Sequence, residues 1–197
     1  ARDEALSLIS HDLRAPQAAI LAALNKPMDA DTKTFITRQA QRTMRLAESF
    51  VDLARMRERD FAGEEFLLSE LVAEVADDFH PLAEAKRIRI VQNITASECF
   101  VVLEMDSVIR ALANLFDNAV KFAPEGSVID VLLAEEHRGG KAGYALSIRD
   151  HGNGIDPALL PRLFGRFQRH EDDGATRRPG GFGLGLSYVA AVVERHN

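Results

Sequence analysis

The sequence predicts an α+β chain in two parts. An antiparallel helical hairpin, paired with a second copy as a four-helix bundle, precedes an α/β sandwich with a mixed sheet and helices on one face. Three observations predict it. Residues 1–62 contain no glycine, and 11 of the 13 glycines fall between Gly139 and Gly185. Apolar residues recur every seven positions through the glycine-free part, the spacing of bundle helices. After Gly63, helical and alternating stretches are mixed, as in a layered sheet-and-helix domain. The boundary is therefore set between 62 and 63.

In the first helix Leu6, Leu13 and Ile20 repeat every seven residues, with Ile9 and Leu24 filling in. In the second, Ile36, Thr43 and Phe50 form one row and Ala40, Ala47 and Ala54 another. Residues 26–31 read as the hairpin loop, with Asp31 or Thr32 capping the second helix. Two helices cannot bury apolar rows on both faces, and self-association through residues 1–62 is the simplest solution. The alternative is a monomeric hairpin packed on the second domain. Beyond it, 69–85 reads as a helix that Pro81 can kink, 87–94 and 99–103 as strands, and 106–122 as an amphipathic helix. Residues 128–135 and 144–149 read as strands around a glycine-rich turn, and 189–195 as a closing helix.

Hydrophobic residues make up 46% and charged residues 27%, which excludes a disordered or fibrous chain. No apolar run reaches the ~20 residues of a membrane helix. The N-terminus carries acids where a secretory signal carries bases, and a start at Ala1 reads as a fragment. Cys99 is the single cysteine, which fits a reducing compartment, and no zinc pattern is present. Residues 1–62 hold 10 Lys+Arg against 9 Asp+Glu. The remaining 14 and 21 make the rest of the chain acidic, which argues against nucleic acid as a partner.

Four segments carry chemistry. In SHDLRAP, His11 lies two residues before Leu13, some 200° around the helix at ~100° per residue, on the solvent face. Asp12 stands beside it. A lone surface histidine is usually only a solvated side chain. In NLFDNAVKF, Asn114 and Asn118 stand i, i+4 on one helix face. Neutral oxygens at that spacing suit Mg²⁺ that also holds phosphate, with Lys121 one turn away. A plain polar helix face reads the same. In DHGNGI, Gly152 and Gly154 give a tight turn beside Asp150, at a strand end. In GGFGLGL, Gly181, Gly183 and Gly185 lead into a helix, where backbone amides can bind phosphate. Neither Walker nor Rossmann spacing is present.

In this order the segments resemble the sensor histidine kinases of two-component systems. His11 matches the H box, Asn114 to Phe122 the N box, and Asp150 to Gly154 the G1 box. Phe164 and Phe167 match the F box, and Gly181 to Gly185 the G2 box. The resemblance covers essentially the whole chain. It implies a dimerisation and phosphotransfer hairpin, then a Bergerat-type ATP-binding domain. It also implies a nucleotide site of Asn114, Asn118, Lys121, Phe122, Asp150, Gly152, Gly154, Gly181, Gly183, Leu184 and Gly185. Within it, Asp150 accepts from the adenine amino group, and Asn118 with Asn114 holds Mg²⁺. His11 is the phosphoryl acceptor, Asp12 takes its proton, and residues 160–179, with Arg166, Arg169, Arg177 and Arg178, form a lid. The implied partners are a second copy and a response-regulator receiver domain that docks near Leu13 and Arg14. The implied location is the cytoplasm, with any membrane attachment through an upstream segment.

The sequence departs from the family at three places. Ala15 stands where Thr or Asn is common, which implies weak phosphatase activity, and Gln17 replaces Leu. Phe182 replaces a small residue between the last glycines. The chain also stops at Asn197, where the family continues through two further strands. Two rivals are weighed. Other Bergerat ATPases hydrolyse ATP with a glutamate in the N-box helix, and none lies between Asp106 and Phe122. A degenerate, non-catalytic scaffold is disfavoured by the intact His11, Asn118 and Asp150.

Overall fold

The computed structural model describes residues 2–96, 98–164 and 185–196. The chain divides into two compact units. The first contains residues 1–59 with 165–188, and the second contains 60–164 with 189–197.

In the first unit, α1 (Arg2–Leu24) and α2 (Ala30–Glu58) are joined by five residues and pack against each other, which makes them antiparallel. The cap of α2 is Asp29, not the expected Asp31 or Thr32. Its Oδ1 accepts the Thr32 amide proton at 2.7 Å, the bond of an N-cap to the third helical residue. That bond and its neighbours hold the Asp29 carboxyl below its usual range. On α1, Ala23 is buried within the single chain, while Leu24 of the expected bundle row is half exposed there. Pro16 lies inside α1 without ending it. Lacking an N–H, it leaves the Asp12 carbonyl without an intrahelical donor.

The second unit opens with β1 (Glu64–Leu67), a short strand absent from the sequence reading, which pairs antiparallel with β3 (Phe100–Leu103). Between them run α3 (Leu68–Glu84) and β2 (Arg89–Ile94). Then come α4 (Met105–Phe122), β4 (Val128–Arg138) and β5 (Lys141–Asp150); α5 (Gly185–Arg195) begins four residues before the expected 189, with residues 185–188 assigned to the first unit and the rest to the second. Pro81 sits within α3, which runs unbroken. Strand β2 starts at Arg89 and not at 87 because 85–88 close α3. There Ile88 N–H donates to Ala83 O at 2.9 Å, and Arg87 takes the left-handed conformation at φ +56°.

The second sheet has the order β2-β4-β5, with β2 parallel and β5 antiparallel to β4, and is mixed as expected. Its hairpin is longer at both ends than 128–135 and 144–149. Gly139 and Gly140 both have positive φ, at 58° and 79°, so a two-residue turn continues the ladder from Arg138 to Lys141. Leu71, Val72 and Val75 of α3 and Leu112, Phe116 and Val120 of α4 meet Ile129 and Val131 of β4 in one core. Phe116 is fully buried and stacks on Phe79 with ring centroids 5.5 Å apart. Burial of such a ring contributes about 1.5–3 kcal/mol. Val91 and Leu132 alternate to the other face and are exposed, so both helices cover one side of the sheet. Cys99 is fully buried outside β3, where its Sγ accepts the Ser69 amide proton at the start of α3. Among the described residues no helix is long and apolar enough to cross a membrane.

Candidate nucleotide site

Helix α4 has two faces of different chemistry. Ala111, Leu112, Phe116, Ala119 and Val120 are buried. Asn114 and Asn118 fall on the other side, about 200° from Leu112 and Phe116 respectively. The Asn114 amide nitrogen donates to Arg110 O at 2.8 Å, within its own helix. That bond fixes the side chain and leaves its carbonyl oxygen as the group presented outward. Asn118 is half-buried and has no hydrogen-bond partner among the described residues. Two neutral oxygens of this kind suit a hard cation shared with phosphate. Lys121, one turn on, has its Nζ 5.0 Å from the centre of the exposed Phe122 ring.

The end of β5 meets the end of α4. Asp150 is the last residue of β5, opposite Ile129, and is half-buried. Its Oδ1 accepts the Gly152 amide proton at 2.8 Å, which folds the chain back on itself. A Cβ on Gly152 would lie 2.7 Å from both that Oδ1 and the Phe122 carbonyl oxygen, too close for any side chain. Glycine is required here because the turn is seated on the last turn of α4. Gly154 needs its freedom for another reason, a φ of +74°. The structure therefore brings Asp150 and Gly152 to Phe122, and so to the helix of Asn114, Asn118 and Lys121. At the surface beside the turn, His151 Nε2 lies 2.8 Å from Asp130 Oδ2.

Gly185 is the first residue of α5, while Gly181, Gly183 and Leu184 lie outside the described residues. So do Phe167, Arg166, Arg169, Arg177 and Arg178. Of the expected lid, a 3₁₀ turn at Leu160–Arg162 and the exposed Phe164 are described. His11 and Asp12 lie on α1, and their side chains fall outside the description, as does the expected solvent exposure of His11.

A second polar cluster escaped the sequence reading. Glu104 directly precedes α4, and both its oxygens bind Arg195 of α5, at 2.6 Å to Nε and 2.8 Å to Nη2. Glu104 Oε1 also accepts the Ala62 amide proton, and Arg195 donates to Asp60 O. The Glu104 N–H donates to His196 Nε2 at 2.9 Å, so Nδ1 carries the ring proton to Val192 O at 2.7 Å. The arginine bonds hold the Glu104 carboxyl down at about 2. A lowered carboxyl pKa stabilises the fold above the unfolded value of about 4.5, and that contribution is lost as pH falls toward 2. Glu104→Gln is therefore expected to cost up to about 3 kcal/mol at neutral pH. Urea denaturation at several pH values should show the gap from wild type closing between pH 4.5 and 2. A gap that does not change with pH would mean that the charge of Glu104 contributes nothing.

Residues 104–197 match the family model of histidine kinase-, DNA gyrase B- and HSP90-like ATPases. The chain is 32% identical over 205 residues to the sensor protein IrlS of Burkholderia pseudomallei, covering 96% of this chain and 41% of that protein. It is 26% identical over 210 residues to the sensor histidine kinase WalK of Bacillus subtilis, covering 99% of this chain and 33% of that one. It thus spans less than half the length of either curated relative. Among solved structures, the histidine kinase AdeS of Acinetobacter baumannii shares the fold, with a TM-score of 0.71 and 21% identity, over 94% of this chain and 86% of that one.

Proposed function

We propose that the chain is a two-component kinase core, with its ATPase-like part at residues 104–197, that phosphorylates His11 from ATP and passes the phosphoryl group to an aspartate of a response-regulator receiver domain. The observation that carries the nucleotide half is the seating of the Asp150–Gly152 turn on the last turn of α4. It sets a carboxylate beside the helix of the two asparagines. In this reading Asp150 accepts from the adenine amino group. Asn118, with Asn114, holds Mg²⁺, which when bound neutralises phosphate charge. Lys121 adds a positive charge, and Gly181, Gly183 and Gly185 offer backbone amides.

His11 attacks the γ-phosphorus through one ring nitrogen. The bond to the β,γ-bridging oxygen breaks, ADP leaves, and Asp12 takes the proton from the imidazole. Positioning and charge neutralisation supply most of such a rate enhancement. Ala15, one turn from His11, has no side-chain donor or acceptor to hold a hydrolytic water, so phosphatase activity is weak. Self-association through residues 1–62 is supported by apolar side chains left exposed on the hairpin, among them Leu21, Leu24, Met44 and Val51. The hydrolytic ATPase reading is disfavoured. Helix α4 contains no glutamate, and the adjacent Glu104 is fully engaged with Arg195.

The test is incubation with γ-labelled ATP and Mg²⁺. Label that is lost in acid and kept in base is expected. Acid-stable label, or phosphate release without protein label, would overturn the reading.

A further inference from the structure

We propose that Lys86 is a positioning residue for the nucleotide site, holding the last turn of α4 in register with the Asp150–Gly152 turn. The inference rests on the nucleotide reading above and names a residue that none of the sequence motifs contains.

Lys86 stands just after α3, in the segment that closes that helix, yet its side chain serves another helix. Its Nζ donates to Val120 O at 2.6 Å and to Lys121 O at 3.0 Å. These are two of the four carbonyls that the end of α4 leaves without intrahelical donors. Ala119 O is satisfied by the Ala123 N–H at 2.9 Å. Phe122 O is the carbonyl against which Gly152 is seated. The last turn of α4 thus meets one ammonium group at Val120 O and Lys121 O and one glycine turn at Phe122 O. The backbone of Lys86 adds a third tie, since its carbonyl accepts the Gly126 N–H at 3.1 Å and so fixes the loop that leaves α4. The neighbouring Arg87–Glu125 pair is exposed and contributes little.

A cation at a helix C-terminus also opposes the negative end of the helix dipole. Without it, Val120 O and Lys121 O lose a charged donor, and Val120 is a buried residue. The last turn then has no reason to keep the geometry that seats Gly152. Lys121 lies in that turn, and Asp150 is bonded to Gly152. The consequence falls on nucleotide affinity, although Lys86 touches no nucleotide.

The experiment measures ADP affinity of the full 197-residue chain in EDTA, which removes the cation contribution, alongside thermal unfolding. Lys86→Met keeps the length and loses the donor, and should weaken ADP about tenfold. Lys86→Arg can donate to both carbonyls and should bind within about threefold of wild type. Val75→Ala, a core truncation on α3, lowers thermal stability and should keep affinity within about twofold, because it leaves the seam intact. If Lys86→Met does not fold, Lys86→Gln takes its place with the same expected direction, since a neutral, shorter donor cannot hold both carbonyls. Affinity within about twofold of wild type in the folded variant would overturn the proposal, as would an equal loss in Val75→Ala. A wild-type chain that does not bind ADP would instead overturn the nucleotide reading itself, and this assignment with it.

Discussion

Replacing His11 with glutamine is expected to abolish acid-labile labelling of the protein by γ-labelled ATP, a loss of at least about a thousandfold, while nucleotide affinity stays within about threefold. Glutamine keeps polarity and hydrogen bonding but has no nitrogen lone pair basic enough to attack phosphorus. The affinity should hold because His11 lies on α1, whereas Asp150, Asn114, Asn118 and Lys121 all belong to the second compact unit. The local backbone matters as well. With Pro16 inside α1, the Asp12 carbonyl has no N–H donor four residues on, in the turn that follows His11. Binding of labelled ATP by filter assay and label on the protein after electrophoresis separate the two quantities. Acid-labile label persisting on the variant would remove His11 from its role.

What could be read from the sequence depended on the range of the interaction. The apolar stripe of α4 repeats within one helix, so its buried and polar faces were legible before any fold was known. The β4–β5 hairpin was legible because its turn is local, although the strands run further than alternation alone suggested. Asp29 lies in the loop as expected, but it caps α2 in place of Asp31 or Thr32. Its pairing with Thr32 three residues on is a signal that the sequence does contain. Strand β1 was invisible because EEFL has no alternation and is held by β3, more than thirty residues away. The same holds for the groups that support the site. Lys86 reaches carbonyls 34 and 35 positions away, and Arg195 and His196 meet Glu104 across 91 and 92. No periodicity encodes such contacts. The nucleotide motifs were legible for the opposite reason, since Asn114 and Asn118 stand one helical turn apart and Asp150 bonds Gly152 two residues on.

Asp150→Asn is expected to weaken ADP and ATP binding by about ten- to a hundredfold even in EDTA, with little change in thermal stability. The structure separates the two effects. Asp150 uses Oδ1 to accept the Gly152 amide proton, and an asparagine Oδ1 can accept the same bond, so the turn on α4 should survive. What changes is the other position of the group. The carboxylate presents a second acceptor there, while asparagine would present an NH₂ donor to the adenine amino group that the proposal assigns to this position. One hydrogen bond is lost, two donors are opposed, and a negative charge that strengthens the bond disappears. Asn118→Ala removes an oxygen assigned to the cation, so its loss should be large with Mg²⁺ and small in EDTA. Titration of both variants with a fluorescent adenine nucleotide, with and without Mg²⁺, distinguishes the roles. Equal losses in EDTA would show that adenine recognition and cation binding have been wrongly divided between β5 and α4. A large fall in melting temperature for Asp150→Asn would place that residue in the fold rather than at the base.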